Sequence, residues 1–151
     1  MKKKKKISAE DLGIDLESKK EEELFKWFLA CLLFGKPIQQ EVAKKAYFGL
    51  IKAGLTNPDA ILKAGWDRLV KVLDQAHYVR FDFSTATKLL DICKNLKEKY
   101  GTLTNLFVQS KNIKDLKYRL YEFKGVGHVT TRIFLRDIKA IFEAVSASTL
   151  T

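Results

Sequence analysis

Residues 120–135 read LYEFKGVGHVTTRIFL and place a glycine-rich turn, Gly125-Val126-Gly127, between two apolar helical patterns. Glycine has no Cβ, so it permits unusual dihedral angles and lets the backbone come within hydrogen-bonding distance of a ligand. The amides that open the following helix lack intrahelical partners and suit a phosphate oxygen. We expect Val126 to insert into the core shared by the two helices. The stretch therefore predicts two packed helices joined by an anion-binding turn.

Basic residues cluster around this turn: Lys111, Lys114, Lys117, Arg119, Lys124, Arg132 and Arg136. Two glycines between helices are weak evidence alone, because a glycine that ends any helix would produce the same pattern. Glycines and cations together favour contact with a nucleic-acid backbone, which would be independent of base sequence. The residues predicted to contact DNA are Lys117, Arg119, Lys124, Gly125, Val126, Gly127, His128, Val129, Thr130 and Arg132.

Apolar residues recur at helical spacing along most of the chain, and no segment of five residues alternates as a strand would. The pattern predicts helices over residues 20–34, 39–53, 58–63, 66–75, about 82–100, 103–108, 112–123 and 128–138 or beyond, with Asp82 or Ser84 capping the fifth. We therefore expect an all-α, compact bundle of about seven to nine helices. Trp27 and Trp66 lie on apolar helical faces and are predicted to be core residues.

The length of 151 residues fits one hydrophobic core, so we expect a basic tail at residues 1–6 and a single helical domain at 7–151. No apolar run reaches the roughly 18 to 20 residues that a membrane span requires. Charges at residues 7–11 stand where a signal peptide would be apolar, so we expect a cytoplasmic protein. Cys31 and Cys93 lie in apolar helical patterns without metal-ligand spacing and are interpreted as reduced core residues.

The net charge of +10 is unevenly distributed. Lysines 2–6 contribute +5, residues 7–84 carry 11 basic against 12 acidic side chains, and residues 85–151 carry 12 against 6. Such asymmetry favours a polyanionic partner, because each neutralised phosphate releases condensed counterions. For the lysine tail, solubility alone is an equally open interpretation.

Residues 120–135 resemble the helix-hairpin-helix of the endonuclease III and 3-methyladenine DNA glycosylase superfamily, whose pattern is approximately L-x-x-[LF]-P-G-[VI]-G-x-x-[TA]-A. Residues 24–33 and 42–46 resemble its first core helices, and residues 80–90 followed by Tyr100-Gly101 resemble the segment before the hairpin. The resemblance covers roughly residues 20–140. It implies a glycosylase-like fold, double-stranded DNA, damaged or intact, as the partner, and a role in base excision repair. It also implies nucleoid association in a bacterium or archaeon, and an alkali ion held by hairpin carbonyls.

The catalytic residues of that superfamily are not matched. Val129 stands where bifunctional members have a catalytic lysine, which excludes their lyase chemistry unless another lysine substitutes. The aspartate of monofunctional members would fall at residues 147–149, where the chain has no carboxylate. The nearest acids are Asp137, which better fits a helix face or end cap, and Glu143, the less poor candidate. No four-cysteine loop follows the hairpin, so we expect no iron-sulfur cluster and no other cofactor.

The chain departs from the superfamily pattern at further positions and contains further candidate site residues. Phe34-Gly35-Lys36 replaces a Ser-Gln pair, and the chain stops at Thr151, so we expect either further helices beyond it or a reduced fold. His128 is interpreted as a phosphate contact rather than a catalytic base. His77, Tyr78 and Arg80 could line a groove for a flipped base, although a packed loop that caps the core is the alternative for Tyr78.

Three functions remain open from the sequence. The first is a monomeric, noncatalytic DNA-binding protein that retains the glycosylase scaffold. The second is an active monofunctional DNA glycosylase with a displaced carboxylate. The third is a helical protein-interaction domain whose basic surface serves solubility.

Overall fold

Seven α-helices and three 3-10 turns form the secondary structure of residues 6–149, the part of the chain that the computed structural model describes; side chains are described as far as Ser146. The α-helices are α1 (Glu21–Phe34), α2 (Gln40–Lys52), α3 (Pro58–Gln75), α4 (Asp82–Lys99), α5 (Leu103–Gln109), α6 (Ile113–Tyr121) and α7 (His128–Thr149). No strand occurs within residues 6–149, so the prediction of an all-α fold is confirmed. The predicted tail falls outside the described residues except for Lys6, which is exposed.

Helix α1 lies at the centre of the core and is buried around most of its circumference, as its nearly continuous apolar sequence requires. Trp27 is fully buried, as predicted, and its indole N–H donates to the Phe134 carbonyl at 3.2 Å. The Phe28 ring meets the Phe134 ring edge-on, with centroids 5.4 Å apart. Because α1 fixes α7 in this way, the end of α1 lies against the beginning of α7.

Helix α3 is broken at Gly65, whose positive φ of 79° interrupts the helical geometry, as the two predicted short helices require. Asn57 caps its start by accepting the Ala60 N–H at 2.8 Å. The predicted cap of α4 is wrong, because a 3-10 turn at Val79–Phe81 leads directly into Asp82 and no side chain caps the helix.

Residues 7–18 pack against α7 through two 3-10 turns, Glu10–Leu12 and Leu16–Ser18, that the sequence analysis did not predict. The Ala9 N–H donates to the Asp137 carboxylate at 2.8 Å, and the Arg136 guanidinium donates to the Ile7 carbonyl. Asp137 therefore holds the N-terminal segment in place.

A carboxylate from α1 closes the start of α5. Glu21 accepts the backbone N–H groups of Leu103 and Thr104, each at 2.8 Å, and the Thr104 hydroxyl at the same distance. These N–H groups belong to the first turn of α5, where the helix itself offers no acceptor.

Across residues 6–149, no helix combines the length and the apolar character needed to cross a membrane.

Candidate nucleic-acid interface

The turn between α6 and α7 is held by its apolar residues. Phe123 and Val126 are buried, and the Val126 N–H donates to the Phe123 carbonyl at 3.0 Å. The prediction that Val126 enters the core is confirmed. On either side of it, Gly125 and Gly127 are exposed. The turn is thus anchored from inside and open to solvent outside.

The two glycines serve different needs. Gly125 has a φ of +99°, and a Cβ there would lie 2.4 Å from Cγ of Lys88, so both its conformation and its surroundings favour glycine. Gly127 has no positive φ, and a Cβ there would have no heavy atom within 4 Å. A side chain at position 127 would therefore project into open space in front of α7.

The first backbone hydrogen bond of α7 runs from the Thr131 N–H to the Gly127 carbonyl at 3.0 Å. The amides of His128, Val129 and Thr130 precede this bond and lie in the first turn, where a helix provides no acceptor. The positive end of the α7 dipole, equivalent to roughly half an elementary charge, lies at the same point. These amides are suited to bind an anion.

Close packing against α1 positions this first turn. A Cβ built at Gly35 would lie only 2.2 Å from the Thr130 hydroxyl oxygen, so glycine allows the end of α1 and the start of α7 to touch. The Thr130 side chain is almost fully buried. Its predicted contact with DNA can therefore involve only its backbone amide, and it stays a prediction.

Two lysines that the sequence analysis missed converge on the turn. Together with Gly125, Gly127, His128 and Val129, Lys36 and Lys88 line a surface depression, here called the lysine groove. Among the described residues, no acidic side chain lines it. Partial burial and the neighbouring Lys36 ammonium lower the pKa of Lys88 to about 8. Two cations thus lie beside a helix start without a carboxylate to balance them.

The predicted basic residues take different positions. Lys117, Lys124 and Arg132 are exposed. Arg119, by contrast, donates to the Asp115 carboxylate at 3.2 Å and to the Tyr100 hydroxyl at 3.3 Å. Its predicted DNA contact is not favoured, because its guanidinium already binds partners within the chain.

His128 begins α7 and is exposed, with Nδ1 2.9 Å from the Tyr121 hydroxyl. The hydrogen bond orients the imidazole at the edge of the lysine groove. Val129, the second residue of α7, is 43% exposed. An apolar side chain is therefore displayed next to the unbonded amides.

The proposed base pocket at Tyr78 and Arg80 is wrong for Tyr78. This tyrosine is fully buried, its hydroxyl donates to the Leu33 carbonyl at 2.8 Å, and burial raises its pKa to about 12. It caps the core, which was the alternative interpretation. Arg80 is exposed, with its guanidinium 5.1 Å from the centroid of the Phe81 ring.

The two catalytic candidates lie away from the lysine groove. Asp137 binds the Ala9 N–H, and Glu143 follows the start of α7 by 15 residues, or about 22 Å along the helix axis.

Within residues 6–149, there is no group of three or more histidine, cysteine, aspartate or glutamate side chains that could hold a metal ion. Cys31 and Cys93 are free and buried, as predicted, and burial raises the pKa of both thiols.

Comparison of the chain with protein-family models, curated proteins and solved structures gave no match. The resemblance to the glycosylase superfamily therefore depends on the residues quoted above.

Proposed function

We propose that this protein binds DNA through the sugar-phosphate backbone, with one phosphate held between the first turn of α7 and the ammonium groups of Lys36 and Lys88. The observation that carries the proposal is the lysine groove itself, where two cations and a helix start meet without an acidic partner. Cations beside the positive end of a helix dipole repel it. A phosphate from outside would relieve this repulsion and accept both the amides and the lysines.

The groove suits a phosphate diester more than a small organic acid. It lies at the surface, and the open space in front of Gly127, where a Cβ would have no heavy atom within 4 Å, leaves the backbone accessible to a long polymer. Exposed Lys117, Lys124 and Arg132 extend the positive surface beyond it. Contacts of this kind fix the position of a strand and do not read its bases.

The proposed role is noncatalytic binding, in keeping with the resemblance to DNA repair proteins. Support comes from the two acids that could have served a glycosylase: Asp137 is engaged by the N-terminal segment, and Glu143 lies about 22 Å along α7 from the groove. Release of a damaged base from duplex DNA, lost in Glu143→Gln or Asp137→Asn, would replace this proposal with the glycosylase alternative.

The test is fluorescence anisotropy with a labelled 20-base-pair duplex over a salt series. We expect log affinity to fall linearly with log salt, and each phosphate contact to contribute roughly −0.9 to the slope. The double variant Lys36→Gln/Lys88→Gln should weaken binding and make the slope shallower. Lys139→Gln, which removes an exposed charge farther along α7, is the matched control. An affinity that does not depend on salt concentration would overturn the proposal, and so would a double variant with the same affinity and salt slope as the control.

A further inference from the structure

Two large aromatic side chains are exposed beside the lysine groove. Phe83 from the first turn of α4 is 59% exposed, and Trp66, which follows the break in α3, is 37% exposed. Their ring centroids lie 5.0 Å apart with an angle of 49° between the planes. Trp66 was predicted to be a core residue, and that prediction is wrong. We call Trp66 and Phe83 the aromatic pair.

A hydrogen bond holds the Trp66 ring in place, and the Phe83 ring packs against it. The Trp66 indole N–H donates to the Thr87 hydroxyl oxygen at 3.1 Å, and the Thr87 hydroxyl donates to the Phe83 carbonyl at 3.1 Å. Both rings expose apolar surface to water, which is unfavourable unless a partner covers that surface. Exposed aromatic surface of this kind marks an interaction site more often than an isolated apolar side chain does.

Phe83 connects the aromatic pair to the turn between α6 and α7. Phe83 lines a second depression together with Ser84, Thr87, Lys88, Lys124 and Gly125. Lys88 and Gly125 line this depression and the lysine groove as well, so the two surfaces meet at these residues. A strand that contacts Lys88 in the lysine groove would therefore lie next to the depression that Phe83 lines.

The chemistry of the second depression favours a base over another phosphate. Asp91 also lines it, and a carboxylate repels phosphate but accepts the exocyclic amino group of a base. The lysines at 88 and 124 give its rim the charge that a polyanionic strand requires. Aromatic rings beside a cationic backbone track are the usual arrangement in proteins that bind single-stranded nucleic acid.

We propose that the aromatic pair stacks against an unpaired base of the strand whose phosphate occupies the lysine groove. The ligand class is then DNA with at least one unpaired nucleotide, because a base inside an intact duplex has both faces covered by its neighbours. This inference rests on the proposed function, which supplies the phosphate contact.

The experiment compares three labelled probes by anisotropy: a perfect 20-base-pair duplex, the same duplex with a three-nucleotide bubble of cytosines, and a deoxycytidine 12-mer, since cytosine carries the exocyclic amino group that Asp91 can accept. We expect wild-type protein to prefer the bubble and the 12-mer to the duplex. Phe83→Ala and Trp66→Ala should each reduce affinity for these two probes by roughly 5- to 100-fold, as expected when one base loses its stacking partner. Duplex affinity should change less than about twofold, and Phe83→Tyr, which keeps the ring, should bind like wild type.

A measurement on the unmodified protein avoids any loss of folding in the variants. Of the two tryptophans, Trp27 is fully buried, so quenching of fluorescence by the 12-mer reports on Trp66. We expect quenching by the 12-mer and the bubble but not by the duplex.

Different outcomes of these experiments would overturn the stacking proposal and the proposed function. If Lys36→Gln/Lys88→Gln weakens all probes while Phe83→Ala and Trp66→Ala leave the preference for unpaired DNA unchanged, the stacking proposal is overturned and backbone binding stands. If no probe binds, both are overturned. A dimer in sedimentation that Phe83→Ala dissociates would assign the aromatic pair to a second copy of the chain and overturn the stacking proposal.

Discussion

The first turns of α5 and α7 both present backbone N–H groups that their own helices cannot bond. At α5, Glu21 reaches across from α1 and accepts two of these groups at 2.8 Å. At α7 the corresponding amides lie in a groove with Lys36 and Lys88 and without an acidic side chain among the described lining residues. The chain supplies an anion to one helix start and cations to the other. The comparison indicates that the start of α5 has a structural role, and it supports the proposal that the start of α7 binds an anion from outside.

Removing the Glu21 carboxylate should have the largest effect on stability. Glu21→Ala leaves the amides of Leu103 and Thr104 without their charged acceptor, and we expect the free energy of unfolding to fall by about 2–4 kcal/mol. Urea denaturation followed by circular dichroism measures the loss. Glu22→Ala, an adjacent and more exposed carboxylate in the same first turn of α1, is the control and should cost less than about 0.5 kcal/mol. If Glu21→Ala and Glu22→Ala lower the free energy of unfolding equally, Glu21 does not stabilise the start of α5, and the contrast with the start of α7 is contradicted.

The second prediction concerns the contact that positions the start of α7. Gly35→Ala would place a Cβ against the Thr130 hydroxyl, and we expect a loss of about 1–3 kcal/mol of stability because helices α1 and α7 must separate. Gly49→Ala is a matched control, since its Cβ would meet Val72 at an ordinary 3.5 Å within a helix. That change should stabilise the protein by roughly 0.5–1 kcal/mol.

A double variant distinguishes crowding from a general intolerance at position 35. Thr130→Ala removes the hydroxyl that the new methyl group would meet, so Gly35→Ala/Thr130→Ala should be more stable than Gly35→Ala alone. Additive losses would mean that the close contact between α1 and α7 is not what requires glycine.

The third prediction separates binding from folding at the turn. Position 127 has open space, so Gly127→Val should reduce stability by no more than about 1 kcal/mol, the scale of a helix cap effect. DNA affinity should fall by roughly 10- to 100-fold, because the side chain blocks approach to amides that make charge-assisted hydrogen bonds. Lys139→Ala should weaken binding less, since it removes one screened charge. Equal losses in the two variants would count against phosphate contact with the backbone.

Local patterns predicted much of the fold, because helix periodicity and caps depend on neighbours in sequence. The insertion of Val126 and the break at Gly65 are examples. The lysine groove could not be predicted, since Lys36 and Lys88 are 52 positions apart and an exposed helix face does not reveal which of its residues meets a distant turn. Trp66 was placed in the core because it continues an apolar pattern, but the break at Gly65 changes the helical phase and leaves the ring at the surface.

The fourth prediction, with the smallest effect, uses the pKa of about 8 that burial and Lys36 impose on Lys88. Below this pH the free protein carries the ammonium group, and above it the group is neutral. A bound phosphate stabilises the charged form, so affinity should be fully present near pH 7 and fall as pH rises through about 8. Between pH 7 and pH 9 we expect a decrease of at most roughly tenfold, the limit for a single titrating group.

Other charged or titratable groups lie near Lys88, namely Lys36, Asp91, Lys124 and His128. The control must therefore change Lys88 alone and leave these groups in place. Lys88→Arg keeps a positive charge across this range, so any pH dependence that remains in this variant belongs to the other four groups. Lys36→Gln removes the neighbouring cation, raises the pKa of Lys88 and should move the decline to higher pH. If wild type and Lys88→Arg lose affinity in parallel, the Lys88 ammonium does not contact the phosphate, and the anion at the start of α7 is held by the backbone amides and Lys36 alone.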